Sequence, residues 1–381
     1  MTRRLYYEDS HRKEFTARVL RCEKCDKGWE VVLDATAFYP EGGGQAADTG
    51  TLGNARVLHT FERGEEVIHL CDGPLEGEVA GSIHWEQRFL RMQQHSGEHI
   101  VSGILYRRYG TQNKGFHMGN ESITIDLEVP IPAEDLPAIE AEANWAVWQN
   151  LPVACWYPSP EELKTIPYRS KKELSGAIRI VEFPGYDICA CCGTHVKFTG
   201  EVGPIKLFSV TPFRGGTRME MACGKQAMDA LNIAYAQNKL VSQAFSAKLG
   251  ETGAAAQRMN EVVAQQKFRM VGLERRIFDT IAGTYVGKKT ALHFEDGLDG
   301  TALRELSDRM AAVCETAAVF SGSDQEGYAY CLVTRTGDLR GFGKQMNAAL
   351  NGRGGGKPIF QQGRVLATKE QIEAFFDTMT E

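Results

Sequence analysis

Four residues in two widely separated pairs could together bind a metal ion. His95 and His99 are four positions apart in Gln94-His95-Ser96-Gly97-Glu98-His99-Ile100. On an α-helix that spacing stacks both imidazoles on one face, one turn apart. Imidazole nitrogen is a usual zinc ligand. Cys191 and His195 form a second pair, also four apart, around Cys192-Gly193-Thr194. Three imidazoles and one thiolate make a complete tetrahedral His3Cys set. Alone, the first pair reads more readily as two helix histidines, one of them in the core with a satisfied hydrogen bond. With only nine histidines in the chain, the second pair favours a shared metal site.

Two other readings compete. His95-Ser96-Gly97-Glu98-His99 fits the H-x-x-E-H of inverzincin-like zinc metallopeptidases, in which the glutamate is the general base. That class takes its third ligand from a downstream helical carboxylate, so the Cys-x-x-x-His pair weighs against it. Cys22-Glu23-Lys24-Cys25 looks like half a zinc ribbon and competes for Cys191, with Cys189 and Cys192 as neighbours. Its simpler reading is two free thiols in a hairpin turn.

The elements that would carry these residues follow from periodicity and turn signals. Glu86 to Tyr109 reads as one helix closing at Gly110, with Arg107 and Arg108 in its last turn. Before it, Phe15–Leu20, Trp29–Asp34, Ala55–His59 and Glu66–Leu70 are β-rich and separated by turns, as in a small barrel or sandwich. Phe38-Tyr39-Pro40-Glu41-Gly42-Gly43-Gly44-Gln45 interrupts them with glycines that allow a close backbone approach. Its plainer reading is a tight barrel-corner turn. After the helix come a strand at Glu121–Leu127, a helix at Pro132–Asn150, and strands at Ala177–Phe183 and Val202–Val210. Helices alternating with strands that need not be parallel give an α+β, two-layer arrangement. From Gly224 to about Gly283 the pattern is helical, broken near Gly250-Glu251-Thr252-Gly253, with apolar residues at roughly heptad intervals. Such a run suits a connector or a dimerising coil. The remainder reads as a small α/β domain with strands at Thr290–Phe294, Ala317–Phe320 and Tyr328–Thr334, and helices at Ala302–Cys314 and Gly343–Leu350. It contains Asn351-Gly352-Arg353-Gly354-Gly355-Gly356-Lys357-Pro358, expected as a loop offering backbone N–H groups to phosphate. That run lacks the Gly-Lys-Ser/Thr ending of a nucleotide triphosphatase.

Bulk properties exclude several classes. A chain of 381 residues with 43% hydrophobic and 24% charged residues has room for two or three ordinary domains. No apolar leader and no membrane-length run is present, and ten irregularly spaced cysteines read as cytosolic thiols and metal ligands. Localisation is therefore expected to be cytoplasmic, without membrane contact. A net charge of −6 leaves nucleic-acid binding to local patches. The clusters are Arg169-Ser170-Lys171-Lys172, Arg107-Arg108 with Lys114, Arg275-Arg276, Lys288-Lys289, and Arg353 with Lys357. For each, a solvated surface is the plainer reading.

With both ligand pairs in place, the chain resembles the AlaX stand-alone alanyl-tRNA editing proteins, in their long form, relatives of the editing domain of alanyl-tRNA synthetase. Leu33-Asp34-Ala35-Thr36-Ala37-Phe38-Tyr39-Pro40-Glu41-Gly42-Gly43-Gly44-Gln45 with Asp48-Thr49-Gly50 is similar to that family's glycine motif. His95-x-x-x-His99 and Cys191-x-x-x-His195 are similar to its two zinc half-sites, and the last segment is similar to its C-terminal domain. Cys192 stands where the synthetase pattern usually has glycine, and Glu98 is unusual between the histidines. The expected organisation is a barrel over 1–85, a zinc-containing editing domain over 86–223, a helical connector over 224–285 and a glycine-loop domain over 286–381.

The resemblance implies a deacylase that hydrolyses the ester of mischarged tRNA(Ala), chiefly the seryl ester and also the glycyl ester, with Zn2+ as cofactor. A synthetase pocket cannot strongly reject an amino acid that merely adds a hydroxyl, so a second site must destroy the product. Thr194, Gln45 and the Asn113–His117 segment are candidates to read the seryl hydroxyl, and Glu98 to act as general base. Homodimerisation through the connector or the C-terminal domain is a further expectation. A non-catalytic tRNA-binding zinc protein remains the alternative outside enzymology. No ATP-activation motif is identifiable, so a complete synthetase is not expected, although ATP binding accompanies the synthetase relationship as a family attribute.

Overall fold

The computed structural model describes residues 2–119, 122–170 and 176–378, a mixed α+β chain in two compact units, Met1–Leu240 and Val241–Glu381. In the first unit, strands Glu14–Cys25, Gly28–Leu33, Glu66–Cys71, Ala55–Arg63, Gly50–Leu52 and Glu78–Ile83 pair in that order, and the last pairs back to the first to close a barrel. Val31, Leu33, Phe38, Leu52, Val57 and Cys71 fill it. Cys22 and Cys25 end the first strand as free thiols, Cys22 accepting from the Leu75 N–H at 3.4 Å.

The helix Trp85–Tyr109 ends on Gly110 at φ +64, a left-handed cap open to glycine. Surface helices keep one polar face, but every residue from Met92 to Leu105 is buried here. Gln94, His95, Ser96, Glu98, His99 and Ser102 therefore each need a partner inside the protein. The helix lies against a four-stranded sheet ordered Ile205–Phe213, Gly216–Cys223, Ile123–Leu127, Asn113–Met118. It also meets helix Leu136–Trp148 and a smaller sheet of Ala154–Trp156, Ile180–Phe183 and Asp187–Ala190. Arg88, fully buried at the helix start, fixes it to the barrel. Its guanidinium pairs with the Asp48 carboxylate and donates to the carbonyls of Ala37 at 2.6 Å and Ser10 at 3.0 Å.

In the second unit, helix Thr252–Gly283 precedes a five-stranded sheet ordered Thr290–Phe294, Thr316–Ser323, Gly327–Thr334, Phe360–Val365, Gly352–Lys357. Its first pair is parallel and the others antiparallel. Both sheet faces are covered. Ala317 and Val319 face the core with Leu306 and Met310 of helix Gly300–Ala311. Ala318 and Phe320 face the core with Met346 of helix Leu339–Ala349 and Phe376 of helix Lys369–Asp377.

The glycine run expected as a loop is the edge strand Gly352–Lys357, paired residue for residue with Phe360–Val365. Its glycines answer a packing demand that sequence alone does not display: a Cβ at Gly354 would lie 2.3 Å from the Tyr330 hydroxyl. Among the described residues no helix is long and apolar enough to cross a membrane.

Candidate metal centre

The structure brings His95, His99, Cys191 and His195 together, with one potential ligand atom from each lying within 4.8 Å of all the others. The two helix imidazoles stack with centroids 5.2 Å apart, and the His195 ring stands 4.5 Å from His95 and 4.8 Å from His99. The Cys191 Sγ lies 3.4 Å from His95 Nε2. The turn carrying Cys191 and His195 is braced from several sides. Arg179 Nη1 donates to the carbonyls of Cys191 and Gly193, both at 3.0 Å. The Tyr7 hydroxyl donates to the Cys192 carbonyl at 2.9 Å and the Ser10 hydroxyl to the His195 carbonyl at 2.8 Å. Gly193 allows the turn to close: a Cβ there would sit 2.2 Å from His95 Cε1.

Each histidine is engaged through Nδ1. His95 Nδ1 meets Gln45 Oε1 at 3.2 Å, His99 Nδ1 meets Asp187 Oδ2 at 2.9 Å, and His195 Nδ1 faces Ser96 Oγ at 3.5 Å. Oε1 and the carboxylate only accept, so His95 and His99 carry their proton on Nδ1 and turn Nε2 toward the cluster. The Nε2 atoms of His99 and His195 are buried without a hydrogen-bond partner. That arrangement fits a cation and leaves two buried polar atoms unsatisfied otherwise. Electrostatics agree. Burial opposes ionisation of the Cys191 thiol, but His95 and His195 override it and hold its pKa well below the ordinary value, favouring the ligating thiolate. Burial and His95 push His195 well below its usual value, toward the neutral imidazole. Burial also opposes charge on His99, and Asp187, Cys189 and Cys191 overcome it to raise that pKa.

Asp187 and Arg169 belong to this site, and neither was singled out as such from sequence. Arg169 forms a two-pronged pair with Asp187, at 2.7 and 2.8 Å, and both are buried. The available sequence signal was an aspartate opening the otherwise apolar strand Asp187-Ile188-Cys189-Ala190. Gly103 permits the approach, since a Cβ there would meet the Tyr186 carbonyl oxygen at 2.2 Å. Asp187 thereby reaches His99, one turn earlier on the helix.

The other expected residues separate into two groups. Gln45 and Thr194 are joined: Gln45 Nε2 donates to Thr194 Oγ1 at 2.7 Å, and the Thr194 N–H donates to Gln45 Oε1 at 3.1 Å. Glu98 is fully buried, and its Oε1 accepts from the Ser102 hydroxyl and Asn113 Nδ2, both at 2.6 Å. In the Asn113–Met118 strand, Phe116 stacks on His95 at 5.5 Å.

Of the clustered cations offered as candidate phosphate contacts, one is internal and several others are surface residues already paired with carboxylates. Arg169 is buried against Asp187, because a guanidinium inside a protein needs a carboxylate. Arg107 and Arg108 share Glu142, and Arg107 also donates to the Gly185 and Tyr186 carbonyls at 2.7 and 2.9 Å. Lys114 pairs with Glu128 and Arg275 with Glu305, both at 2.9 Å. Lys171 and Lys172 lie outside the described residues.

Comparison with known proteins accords with this site. Residues 178–220, which include Cys191 and His195, match the model of the threonyl and alanyl tRNA synthetase second additional domain. The Pyrococcus abyssi alanine–tRNA ligase is 30% identical over 409 residues, covering 98% of this chain and 43% of the ligase. The Pyrococcus horikoshii alanyl-tRNA editing protein AlaX-L is 33% identical over 246 residues, 61% of this chain and 60% of that protein. Mouse (Mus musculus) alanyl-tRNA editing protein Aarsd1 is 24% identical over 396 residues, 97% of this chain and 96% of that protein. The chain thus spans less than half the length of the ligase and nearly all of the mouse protein. Residues 178–220 thus resemble the second additional domain of those synthetases. Across its length the chain is similar to alanyl-tRNA editing proteins of the AlaX and Aarsd1 type.

Proposed function

We propose that this chain deacylates mischarged tRNA(Ala), chiefly seryl-tRNA(Ala), at a zinc site held by His95, His99, Cys191 and His195. The observation that carries the reading is the convergence of those four ligand groups with Nδ1 of every histidine engaged from outside the cluster. Bound there, zinc would act as a Lewis acid and fixed anchor for ester or ribose oxygens. The reaction is ester hydrolysis: water adds to the acyl carbon, the bond to the terminal ribose oxygen breaks, and that oxygen leaves with a proton.

The protein's part is positioning and selection. Gln45 orients His95 and fixes Thr194. The Thr194 hydroxyl accepts from Gln45 Nε2, so its own proton is left for a further acceptor. A seryl hydroxyl supplies that acceptor and an alanyl methyl does not, which spares the correct ester. Glu98 is assigned to holding the Phe116 strand against the helix rather than to the general-base role, because its carboxylate accepts from Ser102 and Asn113. The same geometry disfavours a peptidase, whose glutamate must reach water. The exposed residues Met259, Val263, Met270, Leu273 and Ile277, with Gln266, alternate four and three apart on helix Thr252–Gly283 and are assigned to a homodimer seam.

The reading is tested by removing the metal with a chelator and restoring it. Seryl-tRNA(Ala) hydrolysis should disappear and return with about one zinc per chain. Full hydrolysis by metal-free protein would contradict it.

A further inference from the structure

Beside the metal centre lies a polar cavity of about 290 Å³ whose lining follows the same helix face. Gln87, Arg91, His95 and His99 succeed one another at intervals of four, about 6 Å of helix rise per step. Gln87, Leu90 and Arg91 line the cavity one to two turns before His95, and Gln94, which also lines it, immediately precedes His95. The opposite walls also lead back to the site: Ala46 follows Gln45, and Met118 lies two residues beyond Phe116, which stacks on His95. Gln226 and Gly119 complete it.

Two features mark this cavity as built for a ligand. Gln94 is 2% exposed, yet its Nε2 has no hydrogen-bond partner, and a buried donor left unpaired is destabilising unless a ligand supplies an acceptor. Arg91 uses Nη1 alone, toward the Ala47 carbonyl at 2.7 Å and the Asp48 carboxylate at 3.6 Å. The remaining donors of its fork have no protein partner among the described residues. A carboxamide offers a donor and an acceptor side by side, the complement of adenine N7 and N6. Leu90 and Met118 supply apolar contact for a base, and a guanidinium suits phosphate.

We propose that this cavity binds an adenine nucleotide, with Gln94 reading the base and Arg91 the phosphate, and that it seats the 3′-terminal nucleotide of the substrate. The seating rests on the deacylase reading; nucleotide binding itself does not. A terminal nucleotide held one to two turns from His95 would leave its ribose between cavity and metal, where the ester must lie.

The test measures binding of adenosine 5′-monophosphate and cytidine 5′-monophosphate to the zinc-loaded full chain, with the variants Gln94→Leu and Ala46→Phe. The same titration follows seryl-tRNA(Ala) hydrolysis. Adenosine monophosphate should bind in preference to cytidine monophosphate and compete with the ester. Gln94→Leu should weaken it about ten-fold or more, the value of one buried hydrogen bond, at unchanged zinc content. Ala46→Phe should exclude it by filling the cavity. Hydrolysis with no nucleotide binding, binding unaffected by either variant, or binding that does not compete with the ester would overturn the proposal. Failure of the wild type to hydrolyse any aminoacyl ester would instead overturn the deacylase reading, and the effect of the two variants on binding would still decide whether the cavity is a nucleotide site.

Discussion

Gln45, in the barrel's glycine run, accepts a hydrogen bond from His95 Nδ1 at 3.2 Å across 50 positions of sequence. The contact joins the two parts of the first unit at the metal centre. It also fixes which imidazole nitrogen faces the cluster.

Replacing Gln45 with leucine keeps the bulk and removes the polar contacts. His95 Nδ1–H and the Thr194 N–H would both be buried without an acceptor. We expect zinc affinity to fall about 10- to 100-fold, the usual range for removing a partner of a metal-bound histidine. Chelator competition measures this directly, and unchanged affinity would remove Gln45 from the site's support.

Asp187→Asn should do more damage. It weakens the hold on His99 and leaves Arg169 as a buried cation without its carboxylate, a loss of about 3–5 kcal/mol. Urea unfolding should show that loss even in metal-free protein. Double replacement with Arg169→Met should recover part of the stability but not the zinc affinity.

His69 gives the barrel its own pH dependence. It is fully buried, with Nδ1 donating to the Val31 carbonyl at 3.0 Å and Nε2 accepting from Thr36 at 2.8 Å. Burial lowers its pKa to about 4, only partly offset by the Val31 carbonyl. Between that value and about 6.5 the unfolded chain holds a proton that the folded barrel does not. Stability is therefore complete above that window and falls as pH drops through it, by about 3 kcal/mol in total. The stability difference between wild type and His69→Gln should shrink by that amount from pH 7 to pH 4.

The helix Thr252–Gly283 predicts an oligomer. Met270 is 68% exposed at the middle of its apolar seam. Met270→Glu with Leu273→Glu should convert a dimer to a monomer in light scattering, while leaving the zinc content of the first unit unchanged.

Much of the site was legible because the ligand pairs obey local rules. His95 and His99 share a helix face by periodicity, and Gly110 marks the end of that helix. Cys191 and His195 flank a turn containing Gly193. The two helices on either side of Gly250–Gly253 were readable for the same reason. What escaped was decided by partners distant in sequence. Nothing near Arg169 announces that it faces Asp187 and not phosphate. The strand character of Gly352–Lys357 comes from its pairing with Phe360–Val365, and the Tyr330 hydroxyl leaves no room for a side chain at Gly354. Glu98 reads as a base within its own motif, whereas its carboxylate accepts from Ser102, one turn on along the helix, and from Asn113 on a neighbouring strand.

The most direct measurement is the paired rate of deacylation of seryl-tRNA(Ala) and alanyl-tRNA(Ala) by the purified chain, with zinc quantified in the same sample. The account predicts rapid loss of the seryl ester, slow loss of the alanyl ester and about one zinc per chain. Bound zinc with neither ester hydrolysed would contradict it and leave the metal a structural role.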